Sequence, residues 1–114
     1  MQDCLFCSIV AGKVPCSKVY EDDRVVAFKD INPQAPVHIL IVPKAHVQSI
    51  EQLDDDGFDI TAHILKTAKK IAGDTGISKD GYRIVANTGQ DGGQTVGHLH
   101  FHLLGGRFMT WPPG

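Results

Sequence analysis

The order of apolar and polar residues along the chain predicts five β-strands. Four short segments are rich in β-branched and aromatic residues, which is typical of strands. They are "SKVYEDD", "RVVAFKD", "VHILIV" and "YRIVAN". A fifth strand is predicted for "HLHFHLL", where apolar residues occupy every second position. The proline-containing segment "INPQAP" and the glycine-rich segment "TGQDGGQTVG" are predicted loops.

A long amphipathic helix is predicted over residues 54–72. Its apolar side chains recur at helical spacing; they are Ile60, Ile64, Leu65, Ala68, Ile71 and Ala72. Aspartates open this segment, where negative charge suits the helix dipole, and Gly73 is the predicted stop. A short helix is predicted over residues 4–11, ended by Gly12. This order of elements favours one α+β domain over residues 1–114, with a mostly antiparallel sheet and the helices on one face.

Composition and charge exclude several broad classes of function. The chain of 114 residues is 42% hydrophobic and 21% charged, as in an ordinary globular protein. Its net charge of −2 offers no basic surface for general nucleic-acid binding. The first residues lack the pattern of a secretory signal, and no apolar stretch approaches the roughly 20 residues of a membrane helix. We therefore expect a cytoplasmic protein that binds neither nucleic acid nor membrane.

Three histidines alternate with apolar residues in the last predicted strand. Because side chains of a strand point to opposite faces in turn, His98, His100 and His102 share one face. The row could be a solvated face, a metal site or a catalytic group. Neighbours on one face lie roughly 6.5–7 Å apart, which is awkward for three ligands of a single ion. Catalysis, with one imidazole as nucleophile and its neighbours adjusting its protonation, fits the row better.

The glycine-rich segment directly before this row suits an anion. Its glycines let main-chain N–H groups approach a phosphate closely, and Thr95 adds a hydroxyl. The alternative is an ordinary flexible hairpin loop. Beside a row of histidines, we interpret the segment as a phosphate cradle next to a nucleophile.

Three cysteines are an odd number, which argues against a disulfide framework. Cys4 and Cys7 form a C-x-x-C pair, which in a reducing compartment indicates metal binding or redox chemistry. The pair supplies only two of the four ligands of a closed zinc site. Two small, fairly apolar thiols on a short helix are the alternative.

Several long segments resemble the Hint branch of the histidine-triad (HIT) family. They are "DINPQAPVHILIVPKAHV", "YRIVANTGQDGGQTVGHLHFHLLGGR" and the C-terminal "WPPG", and "HLHFHLL" matches the histidine-triad pattern itself. The resemblance covers nearly the whole chain. It implies a HIT-like α+β fold with a five-stranded antiparallel sheet, one long helix and one short helix. It also implies a homodimer in which the two sheets join.

The resemblance further implies an enzyme that hydrolyses purine nucleoside phosphoramidates, such as adenosine 5′-phosphoramidate or adenylyl-lysine. The middle histidine of the pattern is His100. It would attack the α-phosphorus and form a nucleotidyl-histidine, which water would convert to nucleoside monophosphate. His98, His102 and His38 would adjust charge and proton position around it. No cofactor is needed for this catalysis, because a neutral imidazole is itself nucleophilic.

Other residues match the family's nucleotide-binding positions. Asp30 would bond the ribose hydroxyls, and the alternative is a turn acid before Asn32. The positions beside phosphate would be Asn87, Gly93 and Thr95, together with His100 and His102. Core packing is the alternative for the apolar walls of the base site, which would be Phe6, Ile9 and Ile31. Trp111, in the C-terminal tail, would reach the active site of the partner subunit.

Some HIT relatives hold zinc with a C-x-x-C pair and two histidines. All four positions are filled here, by Cys4, Cys7, His46 and His98. Such a zinc would be structural, fixing His98 and tying the N-terminal segment to the sheet. It would not act as a Lewis acid, because four protein ligands leave no position for substrate.

Three other functions compete with the phosphoramidase. A dinucleoside polyphosphate hydrolase differs only in the leaving group, which is a nucleotide phosphate instead of an amine. A nucleotide-binding scaffold without catalysis is opposed by His100 and the loop before it. The third alternative is a zinc-binding interaction module.

Overall fold

The computed structural model describes residues 4–114, which contain two α-helices and five β-strands. Helix α1 spans Leu5–Val10 and helix α2 spans Asp59–Asp74. The strands are β1 Lys18–Glu21, β2 Val25–Lys29, β3 Val37–Pro43, β4 Tyr82–Val85 and β5 Phe101–Gly105. Short 3₁₀ turns at Ile50–Gln52 and Asp56–Phe58 precede α2. Residues 1–3 of the predicted domain lie outside the described residues.

The five strands form one antiparallel sheet in the order β1-β2-β3-β5-β4, which confirms the predicted α+β class. β3 is central and almost wholly buried, because its continuous apolar run leaves no face for solvent. His102 of β5 lies opposite Leu40 of β3 on one side and Val85 of β4 on the other. This register places the end of the histidine row inside the sheet, one strand in from its edge.

Each face of the sheet is covered by one helix, so the prediction that both helices share a face was wrong. The core under α2 includes Ile39, Ile41, Ile64, Ala68, Leu99 and Leu103. The core on the opposite face, under α1, includes Phe6, Val26, Phe28, Leu40 and Val42. β2 and β3 carry apolar residues at consecutive positions, so both of their faces need cover.

Helix α2 begins and ends later than predicted. Asp54 Oδ1 accepts a hydrogen bond from the Gly57 N–H at 2.7 Å, which holds the first predicted residues in a tight turn. Gly73 stays helical, and the left-handed φ of 80° occurs at Gly76, just beyond the helix. Within the described residues, neither helix has the length and apolar character that crossing a bilayer requires.

Strand β5 begins at Phe101, so the prediction that it starts at His98 was wrong. The Leu99 N–H donates to the main-chain oxygen of Val47, in the loop after β3, at 2.6 Å. The alternation continues through this irregular stretch, because Leu99, Phe101 and Leu103 are all buried under α2. The intervening histidines therefore face the side of the sheet that carries α1.

Candidate active site

His98 and His100 are buried beneath α1, and His102 is partly exposed. The Phe6 ring of α1 lies edge-on to both buried imidazoles, with centroid separations of 5.9 Å to His98 and 5.0 Å to His100. The rings of His100 and His102 are 5.0 Å apart. The predicted shared face of the three histidines is confirmed, and it is an enclosed face instead of a solvated one.

A cavity of about 270 Å³ lies between α1, the loop after β2 and the histidine row. Seven residues predicted to bind nucleotide line it; they are Phe6, Ile9, Asp30, Ile31, Thr95, His100 and His102. Other apolar lining residues include Leu5, Val14, Phe28 and Leu40. A mainly apolar cavity with a few convergent polar groups is typical of a small-molecule site.

Two predicted phosphate contacts, Asn87 and Gly93, do not line this cavity. Gly93 belongs to residues 88–97, which we call the glycine loop, and Asn87 directly precedes this loop. The loop closes on itself, since the Gln94 N–H donates to Gly89 O at 3.1 Å and the Gly89 N–H donates to Gln94 Oε1 at 3.0 Å. Gly93 consequently lines a second, adjacent cavity, which shares Thr95 with the first. Asn87 is half-buried, two residues beyond the end of β4.

His100 keeps one ring nitrogen free for the cavity. Its Nδ1 lies 2.7 Å from the main-chain oxygen of His98. Because a carbonyl oxygen only accepts, Nδ1 carries the proton and donates it. A neutral imidazole has a single N–H, so His100 Nε2 retains its lone pair. An unprotonated imidazole nitrogen in a cavity wall can act as a nucleophile or as a base.

A chain of hydrogen bonds sets the protonation of His102. The main-chain N–H of Gln34 donates to His38 Nδ1 at 3.0 Å, so neutral His38 carries its proton on Nε2. His38 Nε2 lies 2.9 Å from His102 Nδ1 and donates to it. His102 therefore carries its own proton on Nε2, and that N–H is a donor available to the cavity that His102 lines.

Burial keeps His38 and His102 uncharged. It lowers the pKa of His38, against the opposing effect of Asp30, whose Oδ2 lies 3.5 Å from His38 Nε2. Burial, followed by repulsion from His100 and His38 when charged, lowers the pKa of His102 to about 4. Both rings are thus neutral near pH 7, as the directions of their hydrogen bonds require.

Cys4, Cys7, His46 and His98 form a cluster at the N-terminal end of the histidine row, with ligand atoms all within 4.8 Å of one another. His98 Nδ1 lies 3.3 Å from Cys4 Sγ, 3.5 Å from Cys7 Sγ and 3.2 Å from His46 Nδ1. Cys7 Sγ is also 3.3 Å from His46 Nδ1. Tetrahedral ligands at zinc–ligand distances of roughly 2.0–2.3 Å stand about 3.3–3.8 Å apart, so these separations fit a zinc ion.

The protonation of His98 also fits a metal ligand. Its Nε2 donates to the main-chain oxygen of Pro43 at 2.8 Å, which leaves the lone pair of Nδ1 facing the two thiols. Burial lowers the pKa of His98 and so favours the neutral ring that a metal needs. Histidine ligands commonly donate their second N–H in this way. All three cysteines of the chain are free thiols.

Comparison with known proteins identifies the family. A family model described as the HIT domain matches residues 11–109. The chain belongs to the HIT family. This HIT protein is 48% identical over 113 residues to an uncharacterized HIT-like protein of Synechococcus elongatus, covering 99% of this chain and 98% of the relative. It is 46% identical over 112 residues to a 14 kDa zinc-binding protein of Zea mays, covering 96% of this chain and 87% of the relative.

Solved structures confirm the HIT fold. The crystal structure of a HIT family hydrolase from Legionella pneumophila matches this HIT protein with a TM-score of 0.96 and 53% identity, covering 98% of this chain and all of the other. A histidine triad protein from Clostridium difficile matches with a TM-score of 0.94 and 49% identity, over 96% of each chain. The predicted family and fold are therefore correct.

Some parts of the site in this HIT protein escaped the sequence interpretation. The main-chain N–H of Gln34 directs the protonation of His38, but no sequence signal marks it, because any residue except proline offers the same group. Leu5 lines the cavity beside Phe6 and Ile9. Its spacing of four residues from Ile9 on a short helix was a usable signal, since residues i and i+4 share a helix face.

Trp111 does not line the cavity of its own chain, and 80% of its surface is exposed. Arg83 of β4 donates to the main-chain oxygen of Thr110 at 3.0 Å, which ties the C-terminal tail to the edge strand of the sheet. The tail of this HIT protein therefore lies beside β4.

Proposed function

We propose that this protein hydrolyses purine nucleoside phosphoramidates through a covalent nucleotidyl-histidine on His100. The observation that carries the proposal is the hydrogen bond from His100 Nδ1 to His98 O at 2.7 Å, which leaves the Nε2 lone pair of the neutral ring unused in a residue that lines the cavity. The likeness to a HIT family hydrolase from Legionella pneumophila supports hydrolysis.

The reaction proceeds in two displacements. His100 Nε2 attacks the α-phosphorus, and a P–N bond to His100 forms while the P–N bond to the leaving amine breaks. The basic amine gains a proton as it leaves, from a neighbouring imidazole or from solvent. Water then attacks the same phosphorus, the bond to His100 breaks, and the extra water proton passes to solvent. Nucleoside monophosphate and neutral His100 result.

The surrounding groups support this substrate. His102 Nε2–H would donate to a phosphoryl oxygen, where negative charge grows during the attack. Asp30 can accept hydrogen bonds from both hydroxyls of a ribose, and Thr95 adds a hydroxyl beside the phosphate. Phe6, Ile9 and Ile31 would hold the flat purine between apolar walls.

We also propose a structural zinc on Cys4, Cys7, His46 and His98, whose ligand separations fit a tetrahedral ion. When bound, zinc would cross-link the start of α1 to the histidine row. With four protein ligands, it would have no open position for substrate. The name of the Zea mays relative supports zinc binding in the family.

A homodimer and a cytoplasmic location complete the proposal. β4 is an edge strand of the sheet. Among the described residues, no strand pairs with its outer edge, so this edge can pair with β4 of a second copy of the chain. Joining two such edges would extend one sheet through both subunits. The free thiols of the three cysteines agree with a reducing compartment.

The decisive experiment is to trap the intermediate. Protein mixed with adenosine 5′-phosphoramidate is quenched rapidly with denaturant, and peptide mass spectrometry locates the adduct. We expect an added adenylyl group on His100 and at least a thousandfold loss of turnover in His100→Ala, since removal of a nucleophile typically costs that much or more. The matched control is His63→Ala, because His63 pairs with Asp22 at 2.7 Å and does not line the cavity.

Other outcomes would select the competing functions. Faster cleavage of a dinucleoside polyphosphate than of the phosphoramidate would indicate a dinucleoside polyphosphate hydrolase. Binding of adenosine monophosphate without turnover of either substrate would indicate a scaffold. Turnover by His100→Ala at the parent rate would show that the nucleophile is a different residue.

A further inference from the structure

The turn after β5 carries Arg107 back onto the loop after β2, which spans residues 30–36. Gly106 makes this turn with a φ of 92°, in the left-handed region that favours glycine. A Cβ added to Gly106 would lie only 2.9 Å from Pro36 Cβ, so the two segments are in close contact. The side chain of the next residue, Arg107, is exposed, and its Nε donates to the main-chain oxygen of Gln34 at 3.0 Å.

Arg107 ties this loop to the rest of the molecule. Among the residues that the structure describes, it is the only side chain from a distant part of the chain that hydrogen-bonds to the loop. The other hydrogen bonds of the loop are formed within residues 30–38, by Asp30, Asn32, Gln34 and His38. Arg107 Nη1 also donates to its neighbour, the main-chain oxygen of Phe108, at 3.0 Å. Because the guanidinium is planar, this second bond fixes the direction of the first.

The residue that Arg107 holds is the one whose N–H orients His38. The main-chain N–H of Gln34 donates to His38 Nδ1 at 3.0 Å, and His38 Nε2 donates to His102 Nδ1 at 2.9 Å. His102 is left with its N–H on Nε2, in a residue that lines the cavity. Three successive contacts thus connect an exposed guanidinium to the cavity.

We infer that Arg107 is a positioning residue for the proposed active site. By holding the main chain of Gln34, it keeps the proton of His38 on Nε2 and thereby keeps the free N–H of His102 available to the cavity. The catalytic use of that N–H rests on the proposed phosphoramidase reaction, in which it would donate to a phosphoryl oxygen. Arg107 does not line the cavity, so it acts through the two histidines and not on the substrate.

The loop needs such a tie because its middle is exposed. Residues 31–34 are all exposed, and Pro33 has no N–H with which to hold the loop. Without Arg107, water competes for the Gln34 N–H, and His38 Nδ1 loses its donor. His38 can then carry its proton on either nitrogen, and the bond between the two rings can run in either direction. In the reversed direction, His102 would present an Nε2 lone pair to a phosphoryl oxygen and repel it.

Nuclear magnetic resonance of protein labelled with 15N-histidine tests the inference, because protonated and unprotonated ring nitrogens have distinct shifts. In the parent, His38 and His102 should each show a protonated Nε2 and an unprotonated Nδ1. Arg107→Met removes every donor of that side chain, and both rings should then show shifts averaged between two tautomers. We expect a mixture and not a full reversal, because Asp30 Oδ2, 3.5 Å from His38 Nε2, also favours a proton there. Arg107→Lys retains a cationic donor and should restore part of the parent pattern.

Turnover of adenosine 5′-phosphoramidate should follow the same order of variants. We expect kcat to fall about tenfold in Arg107→Met, which is less than the roughly hundredfold cost of removing an oxyanion donor outright. KM should change little, because the affected hydrogen bond strengthens only as negative charge grows on the phosphoryl oxygen. The matched control is Arg24→Met, which removes another exposed arginine that pairs with Asp59 at 2.9 Å and does not line the cavity. It should keep the ring shifts and the kcat of the parent.

Parent-like ring shifts in Arg107→Met would overturn the inference, whatever happens to its turnover. So would an equal change of shifts in Arg24→Met, because loss of a positive charge and not of the bond to Gln34 would then be the cause. If Arg107→Met does not fold, Arg107→Gln takes its place, since its shorter side chain cannot reach both main-chain oxygens. A parent protein that cleaves no phosphoramidate would refute the proposed function alone, because the ring shifts still decide whether Arg107 sets the protonation of His38 and His102.

Discussion

At the scale of single residues, main-chain groups decide which ring nitrogen carries the proton in His38, His98 and His100. The carbonyl of His98 fixes His100, and the carbonyl of Pro43 fixes His98. The N–H of Gln34 fixes His38, which in turn fixes His102. The result is one imidazole with a lone pair and one with an N–H, both on the same cavity. In the proposed reaction, the first ring would be the nucleophile and the second would donate to a phosphoryl oxygen.

His102 is expected to make the protein less stable as the pH falls. Its folded pKa of about 4 lies below the ordinary value of 6.5, so between these values the unfolded chain binds a proton that the folded chain does not. The contribution of neutral His102 to stability is complete above pH 6.5, its ordinary pKa. It is lost as the pH falls towards the folded pKa of about 4. Urea unfolding with a chelator present, between about pH 7 and pH 4, should show a falling free energy of unfolding.

The variant His102→Gln isolates this contribution from those of the other buried histidines. It removes the titrating ring, so its free energy of unfolding should fall less steeply with decreasing pH than that of the parent. If the free energy of unfolding falls equally steeply with decreasing pH in both proteins, His102 does not remain neutral in the folded state.

At the scale of elements, α1 connects the cysteine–histidine cluster to the proposed nucleotide cavity. The helix has only six residues, too few to be stable alone. Cys4 caps its start by accepting from the Cys7 N–H at 3.3 Å, and both thiols belong to the cluster. Leu5, Phe6 and Ile9 of the same helix line the cavity. A metal that holds the cysteines would therefore also hold an apolar wall of the proposed base site.

Loss of zinc is expected to weaken nucleotide binding as well as the fold. The free energy of metal binding contributes to folding, so a freed α1 should detach from the sheet. His46→Ala removes one ligand outside the nucleotide cavity, and it should lower both the zinc content and the affinity for adenosine monophosphate, the latter by about tenfold. Elemental analysis and titration calorimetry measure the two quantities.

His63→Ala is the matched control for this prediction, since it removes a histidine that lies outside the cluster. It should retain the zinc content and the affinity of the parent. Parent protein purified without zinc, with both thiols reduced, would contradict the metal site. Zinc loss with unchanged nucleotide affinity would show that α1 stays docked without the ion.

At the scale of the whole molecule, the sheet ends in an edge strand, and the tail beside it carries an exposed tryptophan. The order of strands places β4 at this edge, and the bond from Arg83 to Thr110 O keeps the tail next to it. A second copy paired along β4 would bring its own tail near this subunit. One such interface would therefore both extend the sheet and deliver Trp111 to a neighbouring site.

We expect a dimer whose two active sites each borrow Trp111 from the other chain. Light scattering should give a mass about twice the 12.4 kDa of one chain. The Trp111→Ala and His100→Ala variants, each assayed by itself, should have reduced activity. A mixture that exchanges subunits should regain activity, because one of its sites combines an intact His100 with an intact Trp111. A mass of one chain, or no recovery in the mixture, would contradict the shared site.

Local pattern was enough to predict much of this protein. Strand segments, the long helix and the face shared by the histidines follow from periodicity, because side-chain direction depends only on near neighbours along the chain. The conspicuous histidine row also carried the family resemblance, which the HIT domain match confirms. Element boundaries were predicted less well, since a single hydrogen bond from Asp54 to Gly57 shifts the start of α2.

Only the tertiary structure decided how distant residues meet. Cys4 and His98 are 94 positions apart, and no periodicity reports their contact of 3.3 Å. The side of the sheet that α1 covers depends on side-chain packing between distant segments, and the proton position of His98 depends on the main-chain oxygen of Pro43, 55 positions away. The sequence by itself determined which chemical groups are present and which of them share a face. Their mutual distances and ring protonation arose only when packing brought the segments together, because those properties belong to contacts and not to the order of residues.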